Sequence, residues 1–566
     1  MTSLSYYHGV STEPLIGETI VGYFDAIVGE RGEQEALVSC QQQVRLTYRE
    51  LDRQSDDLAL ALISSGIKPG DRVGIWSTNN YQWFVIFLAA VKSGAVLVNI
   101  NPGYKQMELE YALNQSGIKV LFSLVENRTS NYLEMIQELA PHLFSSVSPE
   151  NSSCSTLSRV IFLDSDGDTT VGLNNYSQFL RSGDQSHREV LAKSKTSTKI
   201  DAPVNIQYTS GTTGFPKGVT LSHHNIINNA YQAAVAMKLD SSSRFCVPMP
   251  FYHCGGMISS ALATFSVGGT VVIPSPYFQE IPTLTAIEAE RCTHLSGVPT
   301  MFIGQLEHPQ FKDFDVSSLR SGFMAGAPCP VELMRQVANR MHMEDVVILY
   351  GLTESSPLMT ATTVDDSLEI RSTTVGRAIA HSEVKIIDTE TGEILERGLQ
   401  GEICCRGHLV MLGYWNNHEA TTQAIDAGGW LHSGDLGVMN ESGYLNITGR
   451  SKDMIARGGE NVYPREIEEV LHQHESISQA QVFGVPDHKL GEEVALWVVL
   501  KSGASLTPSD IKDWLKLRVS HFKVPRYIKV VEQYPMTVTG KIRKFKMREA
   551  MIEELDLKSE AEIQTA

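Results

Sequence analysis

What this chain lacks narrows it first. Its cysteines, Cys40, Cys154, Cys246, Cys254, Cys292, Cys329, Cys404 and Cys405, are scattered, and no Cys-x-x-Cys pair occurs. That spacing suggests neither a zinc module nor a disulfide framework, and it fits a reducing compartment. No run reaches the roughly 18 apolar residues that a membrane span requires. The most apolar segment, Phe84 to Val98, is interrupted by Lys92 and reads as a buried helix running into a strand. Excess positive charge is missing too. The net charge is −18 and the isoelectric point is near 5.4, which argues against a nucleic-acid or anionic-membrane partner. Residues Met1 to His8 have no basic region followed by an apolar run, and none of the arginines of a mitochondrial presequence. The final Ile563-Gln564-Thr565-Ala566 is not a peroxisomal tripeptide.

With 566 residues, two or three domains are expected, and 42% apolar with 20% charged residues is an ordinary globular composition. Short β-branched runs alternate with helical patterns. The runs are Arg72–Trp76, Ala95–Ile100, Val120–Phe122, Val160–Leu163, Thr270–Ile273 and Val346–Tyr350. Helical spacing covers Gln106 to Ser116 and Pro330 to Met341. This alternation predicts an α/β fold with mostly parallel sheets. From Ser145 to Ala202 the chain turns serine-rich, with one strand, and reads as a surface excursion. After Ala380, Val384–Ile387 and Gly401–Cys405 read as strands of a small antiparallel β unit, with Cys404 and Cys405 packed in one strand. A break near Arg450-Ser451-Lys452-Asp453 divides an N-terminal domain, 1–450, from a small α+β C-terminal domain, 451–566.

The most informative segment is Tyr208-Thr209-Ser210-Gly211-Thr212-Thr213-Gly214-Phe215-Pro216-Lys217-Gly218. Three glycines, four Ser/Thr hydroxyls and one lysine fall within eleven residues. A strand, Val204 to Tyr208, precedes it, and Ser222 can cap a following helix. Glycines let backbone approach an anion, amides and hydroxyls donate to it, and lysine adds charge, so the segment suits phosphate. It is not the Walker loop, because Lys217 follows Pro216 and precedes Gly218.

Six further segments join it in order. They are Pro250-Phe251-Tyr252-His253-Cys254-Gly255-Gly256, Ala325-Gly326-Ala327-Pro328, Tyr350-Gly351-Leu352-Thr353-Glu354 and His432-Ser433-Gly434-Asp435. Then come Gly449-Arg450-Ser451-Lys452-Asp453 running into Gly458-Gly459-Glu460-Asn461, and Pro535-Met536-Thr537-Val538-Thr539-Gly540-Lys541. Taken singly, Asp435 and Lys541 are turn residues, His253 is a structural histidine and Lys452 is surface charge. As an ordered set, from about Leu15 to Leu555, they resemble the adenylate-forming (AMP-binding) superfamily of acyl-CoA synthetases, luciferases, aryl-CoA ligases and adenylation domains. Ile455 to Pro464 and Ser520 to Pro525 read like the medium-chain acyl-CoA synthetase family member 2 group.

The resemblance implies a chemistry that the residue types suit. A carboxylate becomes a good electrophile once ATP converts it to an acyl-adenylate, and bringing two anions together demands donors and positive charge. By resemblance, Thr209, Ser210, Gly211, Thr212, Thr213, Gly214 and Lys217 handle the β- and γ-phosphates. Thr353 sits beside the α-phosphate, and Glu354 holds Mg²⁺. Gly326, Ala327 and Pro328 line the adenine slot, beside Tyr350 and Gly351. Asp435 accepts from the ribose, with Arg450 in support. Lys541 bridges carboxylate and α-phosphate, and His253 gates the acyl channel. Lys452 is the hinge on which the C-terminal domain turns between half-reactions, and Gly458 and Gly459 wall the CoA channel.

The implied activity is an ATP-dependent acyl-CoA synthetase, using ATP, Mg²⁺ and CoA on a medium-chain or similar apolar acid. The alternative is a stand-alone enzyme loading a carrier protein. Amino-acid-selecting relatives place an aspartate near His253, and this chain has none there. A non-enzymatic binding protein would have lost Lys541 or Glu354, and both are present. The expected compartment is cytoplasmic, with the mitochondrial matrix as the alternative that the related group suggests. Acyl length and oligomeric state are not encoded in these motifs.

Overall fold

Two parallel-cored sheets organise the larger part of the chain. The computed structural model describes residues 3–128, 130–163, 174–209, 216–327, 329–450, 453–457, 460–487, 490–519, 521–536 and 542–557. In the first sheet, Arg72–Trp76 and Val96–Ile100 pair in parallel at the centre. Pro203–Thr209 adds beside Val96–Ile100, and Lys217–Ser222 folds back on it as an antiparallel hairpin. The phosphate-loop motif therefore spans a hairpin end. A strand lies between that loop and the helix His223–Ala236, where the sequence suggested only a turn and a helix. Ser222 does cap the helix: its hydroxyl accepts from the Asn225 amide at 3.1 Å.

The second sheet runs in parallel from Glu35–Ser39 through Thr270–Ile273, Arg244–Cys246, His294–Gly297 and Ser321–Met324 to Asp345–Gly351. Most residues of these strands are buried, polar ones such as Ser39, Thr270, His294, Ser296 and Ser321 included.

Against the first sheet packs the helix Gln82–Lys92, buried along its whole length. It is followed by Val96–Ile100, the helix-then-strand order that the apolar run predicted. Lys92 ends it without breaking it. Its ammonium donates to Asp52 Oδ1 at 2.6 Å, Asp56 Oδ1 at 2.7 Å and Ser55 Oγ at 2.8 Å, so the buried charge is fully paired.

The serine-rich stretch is less superficial than its composition suggests. It supplies the strands Arg159–Phe162 and Asn174–Asn175 and the helices Tyr176–Arg181 and Arg188–Ser197. Val160, Ile161, Phe162, Tyr176, Phe179 and Leu191 are buried. Val160 to Phe162 lie in the one strand expected there, whereas Tyr176, Phe179 and Leu191 are too widely spaced among polar residues to register as a pattern.

After Arg377 the texture changes as expected. Ser382–Ile387, Gln400–Gly407, Leu431–Met439 and Leu445–Arg450 form an antiparallel sheet, joined at its edge by Tyr6–His8 from the start of the chain. Beyond it, Ile477–Asp487 and Gly491–Leu500 form a long hairpin carrying Tyr527–Val530 in parallel. The helices Pro464–Leu471, Pro508–Lys516 and Lys544–Glu554 belong to the same part. Its apolar clusters contain only residues from Ile455 onward, and the larger clusters contain none of them. Ser478 Oγ donates to Glu307 Oε1 at 3.3 Å, an exposed polar contact between the two parts. No described helix is long and apolar enough to cross a membrane.

Candidate active site

Four adjacent parallel strands of the second sheet end along one edge. Arg244–Cys246 leads to Phe251-Tyr252-His253, and His294–Gly297 leads to Val298-Pro299. Ser321–Met324 leads to Ala325-Gly326-Ala327, and Asp345–Gly351 leads to Leu352-Thr353-Glu354. The crevice outside the carboxyl ends of such strands is where open α/β sheets bind ligands.

Backbone fit at this edge is close. A Cβ on Gly351 would lie 1.9 Å from the Pro357 carbonyl oxygen. Gly326 has φ +79°, and a Cβ there would lie 3.3 Å from Val298 Cγ1. Gly326 and Ala327 are exposed at the strand end, leaving a flat, open surface. The Thr353-Glu354 turn is fixed on several sides. Ser355 Oγ accepts from the Leu352 amide at 2.9 Å and donates to Pro357 O at 2.7 Å. Asn229 Nδ2 donates to Ser355 O at 3.2 Å, and the Met411 backbone amide donates to Glu354 O at 3.0 Å.

Two polar groups extend from this turn. Thr353 Oγ1 lies 3.6 Å from Cys254 Sγ, which ties the turn to the Phe251–Cys254 segment. Burial pushes the Cys254 thiol up to about 11, and the Glu354 charge adds to the shift. It therefore stays a neutral thiol at ordinary pH and is no nucleophile. Glu354 Oε1 accepts from the Tyr414 hydroxyl at 2.8 Å. Burial, with Glu354 beside it, raises the Tyr414 phenol well above its ordinary value, so it remains a donor. Tyr414 is held there because Gly413–Tyr414 pairs with Lys217–Ser222. The same pairing sets Lys217 Nζ 4.9 Å from the Tyr414 ring centroid. Lys217, Tyr414 and Glu354 thus form a row, with Thr209 opposite Lys217 in the hairpin.

Asp435 arrives from the antiparallel sheet. Its Oδ2 accepts from the buried Tyr350 hydroxyl at 2.8 Å. Burial first, and then the Asp435 charge, holds the Tyr350 phenol far above its ordinary value. The Asp435 amide donates to Ser433 Oγ at 3.1 Å, and Ser433 Oγ donates to Ile403 O at 2.6 Å. Asp435 is opposite Arg450 in strand register.

His253 is half-buried, its ring centroid 4.7 Å from that of Tyr252. Its amide donates to Pro250 O at 3.2 Å, and a Cβ on Gly256 would lie 2.4 Å from that same oxygen. The chain then winds into the wide helix Gly255–Leu262. Behind this segment stands a row of buried amides rather than charges. Asn205 Nδ2 donates to Asn99 Oδ1 at 3.0 Å, and Gln207 Nε2 donates to Asn205 Oδ1 at 2.8 Å.

Tyr350 meets Asp435, Thr353 meets Cys254, and Glu354 meets Tyr414, over whose ring the Lys217 ammonium sits. Ser210, Gly211, Thr212, Thr213, Gly214, Pro328, Lys452, Gly458, Gly459 and Lys541 lie outside the described residues. Sequence reasoning missed Tyr414 and the link from Cys254 to Thr353. Nothing local in Gly413-Tyr414-Trp415 announces a strand that pairs with Lys217–Ser222.

Residues 24–415 match the family described as AMP-binding enzyme, and residues 466–541 match the AMP-binding enzyme C-terminal domain. YngI of Bacillus subtilis (strain 168), provisionally named an acyl-CoA synthetase, is 43% identical over 557 residues, 96% of this chain and 99% of that protein. The mitochondrial medium-chain acyl-CoA ligase ACSF2 of Bos taurus is 40% identical over 561 residues, 98% of this chain and 91% of that protein. The crystal structure of the anthranilate CoA ligase AuaEII in complex with anthranoyl-AMP shares the fold. Its TM-score is 0.85 over 96% of this chain and 99% of that one, at 24% identity.

Proposed function

The chain belongs to the AMP-binding enzyme family and is an AMP-forming acid–thiol ligase, and from that premise we propose that its substrate is a medium-chain fatty acid or a similarly apolar carboxylic acid. The overall reaction joins acid, ATP and CoA into acyl-CoA, AMP and diphosphate through an acyl-adenylate. The observation that carries the site assignment is the convergence of Tyr350–Asp435 and of Lys217–Tyr414–Glu354 on the ends of parallel strands.

In this reading the two ends of the nucleotide are gripped by opposite charges. Asp435, oriented by Tyr350, accepts from the ribose hydroxyls, with Arg450 beside it. Gly326, Ala327 and Pro328 offer the adenine a flat surface, against Gly351. The loop Thr209, Ser210, Gly211, Thr212, Thr213 and Gly214, with Lys217, donates to the β- and γ-phosphates. Thr353 donates near the α-phosphate. Glu354, a carboxylate held by a neutral phenol, fits a hard cation; it would hold Mg²⁺, whose charge neutralises the phosphates when bound. Lys541 bridges the attacking carboxylate and the α-phosphate in the first half-reaction.

The separate apolar clusters on either side of residue 450 support a division into 1–450 and a mobile 451–566. Lys452 is the hinge, and Gly458 and Gly459 line the thiol's path in the second half-reaction. His253 gates the acyl path. Eight free thiols suit a reducing compartment, the cytoplasm, with the mitochondrial matrix of the named ACSF2 relatives as the alternative.

The acyl side carries the substrate reading. The Phe251–Gly256 segment and the amides behind it offer no fixed charge to a second ionised group, which would lose hydration without replacement. A straight monocarboxylic acid of intermediate length should therefore exceed its ω-carboxylated and α-amino counterparts in kcat/KM at saturating ATP and CoA. CoA-dependent AMP release across the three acids tests this, and a preference for the dicarboxylic or amino acid rejects it.

A further inference from the structure

The bulge that presents Asp435 has a reverse side, and three donor atoms converge there on one point. Glu402 stands opposite Leu436 and Cys404 opposite His432, so the partner strand loops out at Ser433-Gly434-Asp435 between the two pairs. Glu402 and Cys404, two apart on one strand, share a face, and His432 lies across from Cys404. Cys404 Sγ is 3.6 Å from His432 Nδ1, and Glu402 Oε2 is 2.9 Å from the same nitrogen. One ligand atom from each residue falls within 4.8 Å of the others.

We propose that Glu402, Cys404 and His432 bind a zinc ion through carboxylate, thiolate and imidazole Nδ1. A tetrahedral zinc with ordinary bond lengths sets sulfur and nitrogen about 3.5 Å apart, and nitrogen and oxygen about 3.3 Å apart. The first separation is already present, and the second needs the carboxylate to open by a few tenths of an ångström. Both the oxygen and the sulfur face Nδ1, and a single proton there can serve only one of them; a cation serves all three. On binding, the Cys404 thiol releases its proton to solvent, and the imidazole proton sits on Nε2. Asp426 Oδ2 stands 3.7 Å from Nε2, on the side where a metal-bound histidine orients itself on a carboxylate.

The other carboxylate oxygen of Glu402 accepts from the Gly434 amide at 3.0 Å, which fixes the ligand's direction and joins the cation to the bulge. Lys385, paired across from Cys404 on the neighbouring strand, turns its ammonium over the Trp430 ring at 4.3 Å from the centroid. Cys404 is buried, while His432 and Glu402 are part-exposed, so the ion enters from their side. Linear spacing hid this site, because the cysteine has no Cys-x-x-Cys partner and strand pairing alone assembles the set.

The probe is cobalt(II) added to the chelator-treated full chain under a phosphine reductant. The expected result is thiolate-to-cobalt charge-transfer absorption, saturating at one cobalt per chain and bleached by zinc. Cys404→Ser should abolish that absorption. Glu402→Ala should keep it but weaken cobalt binding at least ~10-fold, as should His432→Ala. No charge-transfer absorption under excess cobalt overturns the proposal, and so does absorption that persists undiminished in Cys404→Ser. If the buried Cys404→Ser chain does not fold, the two part-exposed variants decide, and unchanged cobalt affinity in both overturns it.

Discussion

Gly351 and Gly434 flank the proposed nucleotide site from two sides, and they do so for different reasons. Gly351 ends a parallel strand, and its missing side chain is a matter of space, because a Cβ would lie 1.9 Å from the Pro357 oxygen. Gly434 sits in a bulge within an antiparallel strand at φ +70°, with nothing within 4 Å of a Cβ, so its role is purely conformational. The strand-end loop is positioned by close packing at Gly351 together with hydrogen bonds from Ser355, Asn229 and Met411. The bulge is positioned by hydrogen bonds, from the Gly434 amide to Glu402 and from Ser433 Oγ to Ile403 O. The Thr353-Glu354 side should therefore tolerate substitution poorly, and the Asp435 side more gracefully.

The largest effect is expected at Gly351. In Gly351→Ala the backbone has to move, costing about 3 kcal/mol in stability, and displacement of Thr353 and Glu354 should lower kcat/KM by about 100-fold. Chemical denaturation and steady-state kinetics read both. Tyr414→Phe should do less. It removes one hydrogen bond to the Glu354 carboxylate and leaves the ring by Lys217, so the fold should survive. A loss of about tenfold in kcat/KM for ATP is expected, and it should grow when Mg²⁺ is limiting. The smallest effect is expected at Gly434→Ala, about 1 kcal/mol of backbone strain with activity within about threefold. If Gly434→Ala proves as damaging as Gly351→Ala, the contrast between space and conformation fails.

The sequence made the parallel framework legible because its signals are local. The helix Gln106–Ser116 begins and ends where its periodicity does, and the run from Phe84 divides into a buried helix and strand. Lys92 reads as an interruption in one dimension; only the fold shows Asp52 and Asp56 arriving to pair it. The candidate site residues stand out in the sequence as motifs, but their partners do not. Tyr414 serves Glu354 from 60 positions away, through a two-residue strand with no pattern of its own. Tyr6–His8 completes the sheet that carries Asp435, although nothing so near the start of the chain predicts a partner near residue 384. Long-range pairing of short strands leaves little trace in composition or periodicity.

On the proposed reading, acid and ATP combine first and CoA enters second. Acid-dependent exchange of labelled pyrophosphate into ATP, measured on the full chain without CoA, tests this most directly. Exchange should require an apolar carboxylic acid and Mg²⁺ and proceed without CoA, with AMP released once CoA is added. Exchange that needs CoA, or release of ADP and phosphate in place of AMP and pyrophosphate, would contradict it.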